Sequence, residues 1–168
     1  NNIPRIKKII KAMAETYGKS LGDEYAFPRL EEIENVTVED LMELRMGFRA
    51  KYIFDCISKL KNGEVDLSKA DNLNTEDLRK ELISIKGVGQ KVADCVLLFS
   101  LKRRETFPTD VWIKRVMEHF YFNDEEKDIK EIHAYAQEKW GKYCGYAQQY
   151  LFYYARSLKI GTDKEKKK

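Results

Sequence analysis

Apolar positions along the chain recur at intervals of three and four and nowhere alternate over a strand's length, the signature of amphipathic helices rather than of sheet. Ile3, Ile6, Ile9, Ile10, Met13 and Tyr17 fall on one helical face; Asn2 and Pro4 supply a start signal and Gly18 a stop. Shorter helices are predicted over residues 28–34 and 38–45. The next, over 48–61, turns Phe48, Tyr52, Ile53, Cys56, Ile57 and Leu60 inward and ends at Asn62-Gly63. Asn74 and Thr75 offer N-caps for a helix to about residue 85. A glycine hairpin over 86–89 leads into an apolar helix reaching 101. After a loop containing Pro108 come helices over about 110–120, 127–140 and 145–159. Nine glycines and three prolines are few breaks for 168 residues, and the predicted fold is all-α.

Composition narrows the class. With 43% hydrophobic and 35% charged residues, a chain of 168 residues can build one sizeable core and is neither disordered nor disulfide-stapled. The densest apolar run, 92–101, is interrupted by Asp94 and falls short of the ~18 residues of a membrane span. No signal-peptide pattern opens the chain, and a start at Asn1 rather than Met is expected of a cut end. The net charge is +3, and the tail over 162–168 contributes four lysines against Asp163 and Glu165. The domain is expected over 1–161, with the tail frayed. Its body is close to neutral, so nucleic-acid binding would need a local patch of positive charge. Cys56, Cys95 and Cys144 are widely spaced and form no C-x-x-C pair, which points to a reducing cytoplasm and no cysteine-bound metal.

The run Ile85-Lys86-Gly87-Val88-Gly89-Gln90-Lys91 joins two helices through a hairpin whose glycines are expected to allow positive φ and to uncover backbone N–H groups, a turn able to grip a phosphate. It lacks the strand and third glycine of a dinucleotide site and the spacing of a P-loop. A plain αα-corner is the alternative. Lys91 falls in the first turn of the following helix, with Asp94, Cys95 and Leu98 around its face. Burial among apolar neighbours would depress its pKa and free an amine for attack on carbon; a solvated surface lysine is the plainer reading. Asp110, in Pro108-Thr109-Asp110-Val111, is placed to cap its helix, a role compatible with catalysis.

The sequence Leu82-x-x-Ile85-Lys86-Gly87-Val88-Gly89-x-Lys91-Val92-Ala93-Asp94-Cys95, followed nineteen residues after Lys91 by Asp110, resembles the helix-hairpin-helix DNA glycosylases, and within them the 8-oxoguanine DNA glycosylase/AP lyases, from about residue 1 to 159. The resemblance implies two helical subdomains around a cleft. It makes Lys91 the nucleophile at the sugar C1′, which expels the base and leaves a Schiff base that undergoes β-elimination. Asp110 becomes the carboxylate that stabilises positive charge on the sugar and assists proton transfers. Lys86, Gly87, Val88 and Gly89 form the phosphate-binding hairpin, often with a bound monovalent cation, and no other cofactor is implied. Gln148 reads the base edge, Phe152 stacks on its ring, and Cys95 lies on the ring's other side. Asn1 and Asn2 fill the gap left by the extruded base, Arg5 and Arg49 bond the widowed cytosine, and Phe48 is the wedge in the stack. Core packing for Phe152 and Phe48 and solvated charges for the arginines are the bland alternatives.

Two features depart from the family pattern. Trp112 stands where better-known relatives carry a histidine, and the sequence given does not include the β-rich domain that longer relatives carry before the position of Asn1, which is expected either of a fragment or of a weaker discrimination of 8-oxoguanine from guanine. His119 and His133 show no sequence partner and are expected to be structural. The implied function is excision of 8-oxoguanine from duplex DNA, followed by strand nicking, by a monomer acting on DNA with no membrane association. A glycosylase for another oxidised or alkylated purine, or a non-catalytic DNA-binding module, is the alternative.

Overall fold

A computed structural model describes residues 2–158 and 160. Asn1 and the tail over 162–168 lie outside the described residues. The described helices are α1 (Ile3–Tyr17), α2 (Leu30–Ile33), α3 (Val38–Glu43), α4 (Ala50–Lys61), α5 (Thr75–Ser84), α6 (Gln90–Phe99), α7 (Val111–Tyr121), α8 (Ile129–Trp140) and α9 (Cys144–Ser157). Tight 3-10 turns cover Gly47–Arg49, Leu67–Asn72 and Gly141–Tyr143. Among the described residues the extended backbone pairs only at the isolated bridge between Ser20 and Tyr25, so the fold is all-α as predicted. No helix among them is long and apolar enough to cross a membrane.

Two compact units divide the chain: the first runs to Asn72 and takes in Glu81–Gly87, the second takes Leu73–Lys80 and continues from Val88. In the first, Met13, Ile33, Leu41, Met46, Ala50 and Ile57 form the core. Asn2 caps α1, its Oδ1 accepting from the Arg5 N–H at 2.9 Å, and Pro4 lies in the first turn. The short helices α2 to α4 cover Ile9, Met13 and Tyr17 but not the rest of the α1 stripe, and Ile3, Ile6 and Ile10 remain exposed, contrary to the predicted face. The helix expected over 38–45 stops at Glu43, because Arg45 and Gly47 both take positive φ (61° and 60°) and fold the chain into the turn at Gly47–Arg49. That turn displaces Phe48 from the predicted buried face of α4; it is 65% exposed, while Ile57 is buried as predicted and Ala50, outside the predicted set, is buried with it.

The core of the second unit gathers Phe107, Ile113, Met117, Ile132, Ala136 and Cys144 from α7, α8, α9 and the loop before α7. Side chains start two of these helices: Asp110 accepts from the Ile113 N–H at 2.8 Å, and Asp128 and Glu131 form a reciprocal capping box on α8. Cys144 is enclosed, its thiol donating to the Ala136 carbonyl, and burial pushes its pKa up to about 11.

Candidate active site

The hairpin begins in the first unit. Gly87 has φ +82°, and a Cβ there would come within 2.5 Å of the Tyr52 ring, so both backbone conformation and the close approach of α4 require glycine. The Lys86 N–H donates to Asp55 Oδ2 at 2.7 Å, tying the turn to α4, and Lys59 Nζ lies 2.5 Å from the Ser84 carbonyl. Gly89 corrects the expectation of two left-handed glycines: its φ is −95°, in the extended region, and a Cβ would meet nothing within 4 Å. Its value is openness. It sits at the N-cap of α6 with no side-chain cap, so the first N–H groups of that helix are left without intrahelical partners and point outward.

Lys91 is the second residue of α6 and is exposed, so burial does not strip its amine of water as the sequence suggested. The apolar surroundings expected of it are also interrupted, because Asp94 turns away from it. Asp94 is 1% exposed and its Oδ1 accepts from Arg79 Nε of α5 at 2.8 Å, a buried pair that fixes the middle of α6. Cys95, one turn after Lys91, is half-buried, and Lys91 hydrogen-bonds its sulfur. Burial raises the Cys95 pKa, Lys91 opposes that, and the charges of Asp94 and Asp110 reinforce it. The sulfur is thus a thiol, bonded to Lys91 and within electrostatic reach of Asp110.

Three side chains from outside it hold the loop that delivers Asp110. Phe107 is buried and stacked on Trp140, with centroids 5.7 Å apart and planes 14° from parallel. The Pro108 carbonyl accepts from Gln148 Nε2 at 3.2 Å. Thr109 is buried, donates its hydroxyl to the Phe107 carbonyl at 2.9 Å, and meets His133 Nε2 at 3.0 Å. Asp110 itself uses Oδ1 as the cap of α7, while Oδ2 has no hydrogen-bond partner among the described residues. One carboxylate oxygen is therefore directed by the cap, and the other is still available.

Gln148 and Phe152 lie around the same loop. Gln148 is 5% exposed, and besides the Pro108 contact its Oε1 accepts from Gln149 Nε2 at 2.6 Å, so both ends of its amide are engaged. Phe152 is half-buried and meets Trp112 edge to face at 4.7 Å, which places the unexpected tryptophan beside the predicted stacking ring. Trp112 Nε1 donates to the Ile160 carbonyl. Sequence reasoning missed the partners of both histidines: His119 meets Asp124 at 2.8 Å, and His133 packs its ring edge-on to Phe107.

The residues expected to face the opposite strand lie in the first unit. Arg5 donates to the Arg45 carbonyl at 3.2 Å and its guanidinium reaches the edge of Gly47, beside Phe48 and Arg49. The Arg49 guanidinium lies over the Phe48 ring, 4.5 Å from its centroid. Asn2, Arg5, Lys8, Glu43 and Arg45 line a recess of about 740 Å³. Phe48 is thus an exposed ring flanked by arginines rather than a core residue.

A glycine hairpin opening onto a helix whose first turn carries a lysine, with a helix-capping aspartate that acts on the thiol one turn after that lysine, is the arrangement of the helix-hairpin-helix class of base-excision proteins. The chain belongs to that class: residues 1–142 match the HhH-GPD superfamily base excision DNA repair protein family. It is 38% identical over 121 residues to the probable N-glycosylase/DNA lyase of Methanothermobacter thermautotrophicus, covering 70% of this chain and 37% of that protein. Among solved structures, MBOgg1 in complex with a low affinity DNA ligand superposes with a TM-score of 0.88 at 48% identity over 95% of this chain and 56% of that one. The 8-oxoguanine glycosylase/lyase of Clostridium acetobutylicum, in complex with double-stranded DNA containing cytosine opposite 8-oxoG, gives a TM-score of 0.87 at 41% identity over the same shares. The chain therefore spans from about a third to just over half of the length of these relatives.

Proposed function

We propose that this protein excises 8-oxoguanine from duplex DNA and then nicks the abasic strand, with Lys91 as nucleophile and Asp110 as the charge-stabilising carboxylate. The observation that carries the reading is the position of Lys91 in the first turn of α6, directly after the glycine hairpin, with Asp110 acting electrostatically on the Cys95 sulfur one turn beyond it. The substrate is extended from the Clostridium acetobutylicum relative, whose DNA carries cytosine opposite 8-oxoG.

In this mechanism the deprotonated Lys91 amine attacks C1′, the C1′–N bond to the base breaks, and the base leaves with its electron pair and takes up a proton. Asp110 Oδ2 faces the positive charge that develops on the sugar, where a preoriented carboxylate acts without reorganising. The amine then forms a Schiff base as the sugar ring opens, and loss of a C2′ proton expels the 3′ phosphate by β-elimination. Because Lys91 is exposed, exclusion of water from its amine falls to the bound nucleotide itself.

Around this centre, Cys95 and Phe152 take opposite faces of the flipped base, and Gln148 reads its edge with the donor and acceptor positions its present bonds leave over. Lys86, Gly87, Val88 and Gly89 receive a backbone phosphate through main-chain amides. A monovalent cation fits the hairpin better than a divalent one, since the turn offers neutral main-chain oxygens and its nearby carboxylate, Asp55, is bound to the Lys86 amide. No step of the chemistry runs through it, and no redox cofactor is called for. Asn2, Arg5, Phe48 and Arg49 meet the opposite strand.

Borohydride reduction on a duplex with cytosine opposite 8-oxoguanine tests the reading. A covalent protein–DNA complex is expected with the lesion and not with guanine in its place. Binding without base release or trapping would make the protein a non-catalytic DNA-binding module, and release of an alkylated purine instead would reassign the substrate.

A further inference from the structure

His133, on α8, touches the residue immediately before Asp110 and the residue immediately before Lys91. Its Nε2 lies 3.0 Å from Thr109 Oγ1, and its Nδ1 lies 3.5 Å from Gln90 Nε2, a long contact. We propose that neutral His133 is a positioning residue that sets the separation of the Lys91 and Asp110 segments, and that its protonation switches this positioning off. This rests on the proposed glycosylase/lyase reading.

The hydrogen-bond network fixes the tautomer. The Thr109 hydroxyl donates its only hydrogen to the Phe107 carbonyl at 2.9 Å, so at its contact with the ring it accepts, and Nε2 carries the hydrogen. Nδ1 then presents a lone pair, which suits the Gln90 amide N–H. A proton added at Nδ1 sets two donors against each other in this arrangement, and the Gln90 amide must turn over to present its oxygen, so the Lys91 side is repositioned while the link to Thr109 stays in place. The ring is held against rotation by the edge of Phe107.

Charges act on the ring from two helices, Asp94 of α6 and Arg79 of α5, while the loop over 107–109 contributes neutral groups. Burial favours the neutral imidazole most strongly. Asp94 opposes it, Arg79 adds to it, and the Phe107 carbonyl opposes it again, with a net pKa below the ordinary 6.5. The histidine therefore holds its neutral, linking form at neutral pH and loses it on acidification.

Single-turnover base release from an 8-oxoguanine duplex, measured across pH, tests the proposal. The wild-type rate is expected to fall along an acidic limb. Gln90→Glu, an exposed change that leaves the core intact, places at Nδ1 a carboxylate that only the imidazolium can bond, so the link should form on acidification instead of breaking and the acidic limb should be lost or reversed. His133→Gln should abolish the limb and lower the rate about tenfold or more, with duplex affinity retained. A limb unmoved by Gln90→Glu and still present in His133→Gln overturns the proposal, as does a uniform slowing with an unchanged profile. The imidazole ¹⁵N spectrum reads the tautomer without any activity: a signal pattern for Nε2–H is expected, and Nδ1–H overturns the proposal even where excision is normal. A wild-type protein that shows the Nε2–H tautomer but releases no 8-oxoguanine instead removes the functional reading on which the switch rests.

Discussion

Between Phe107 and Asp110 every residue is tied to a neighbour, by the stack on Trp140, the Gln148 amide, the Phe107 carbonyl and His133, and the cap on α7. Between Gly89 and Lys91 the chain is exposed, uncapped by any side chain, and joined to its surroundings by the long Gln90 contact and the Lys91–Cys95 bond. Only one turn further on does α6 become fixed, at Asp94 and Arg79. The contrast follows the two tasks. A carboxylate that stabilises charge works best when its direction is set beforehand, whereas an amine that must form and later release a bond needs access and reach.

The sharpest way to break this comparison is to loosen the anchor of α6. Arg79→Met leaves the buried Asp94 without its partner and should cost about 3–5 kcal/mol of stability by chemical denaturation. A loss below about 1 kcal/mol would mean that α6 is held by packing alone. Next in size are the hairpin glycines, which should respond unequally. Gly87→Ala meets both strained backbone and the Tyr52 ring and should destabilise by about 1–3 kcal/mol. Gly89→Ala should stay within about 0.5 kcal/mol of wild type in stability while weakening duplex binding, because its Cβ enters the space a phosphate would use. Equal melting-temperature losses would contradict the assignment of openness to Gly89.

Phe152→Ala should weaken binding of an 8-oxoguanine duplex by about 1–3 kcal/mol and leave borohydride trapping on a preformed abasic site largely intact. If both fall together with the melting temperature, the ring serves the Trp112 side of the core instead. The smallest effect concerns His133, whose folded pKa lies below its unfolded value of about 6.5. The unfolded chain then binds more protons on acidification, so the contribution is fully present above about pH 6.5 and is lost as pH falls toward the folded pKa. Denaturation midpoints across pH should show this slope, and His133→Phe should flatten it.

Much of this was readable from sequence. The helical stripe, the caps at Asn2 and Asp110 and the hairpin follow from local rules, because capping and turn chemistry involve residues within four positions of each other. What escaped depends on distant contacts. The pairing of Asp94 with Arg79 turns a residue read as a neighbour of Lys91 toward another helix, and nothing local announces it. The displacement of Phe48 follows from the left-handed Arg45, a residue with no intrinsic preference for that region. The exposure of Lys91 reversed an expectation drawn from the apolar character of α6, whose buried face lies elsewhere on the helix. The partners of His133 come from segments 43 and 24 residues away and left no trace in the spacing.

The central claim is that the Lys91 amine forms the covalent bond to DNA. Mass-spectrometric mapping of the borohydride-reduced complex tests it most directly, with Lys91→Gln as the control. The account predicts the sugar adduct on the peptide containing Lys91, no adduct in Lys91→Gln, and duplex affinity for that variant within about tenfold of wild type, or about 1.4 kcal/mol. An adduct on another lysine or on the N-terminal amine, formed at the wild-type level in Lys91→Gln, would contradict it.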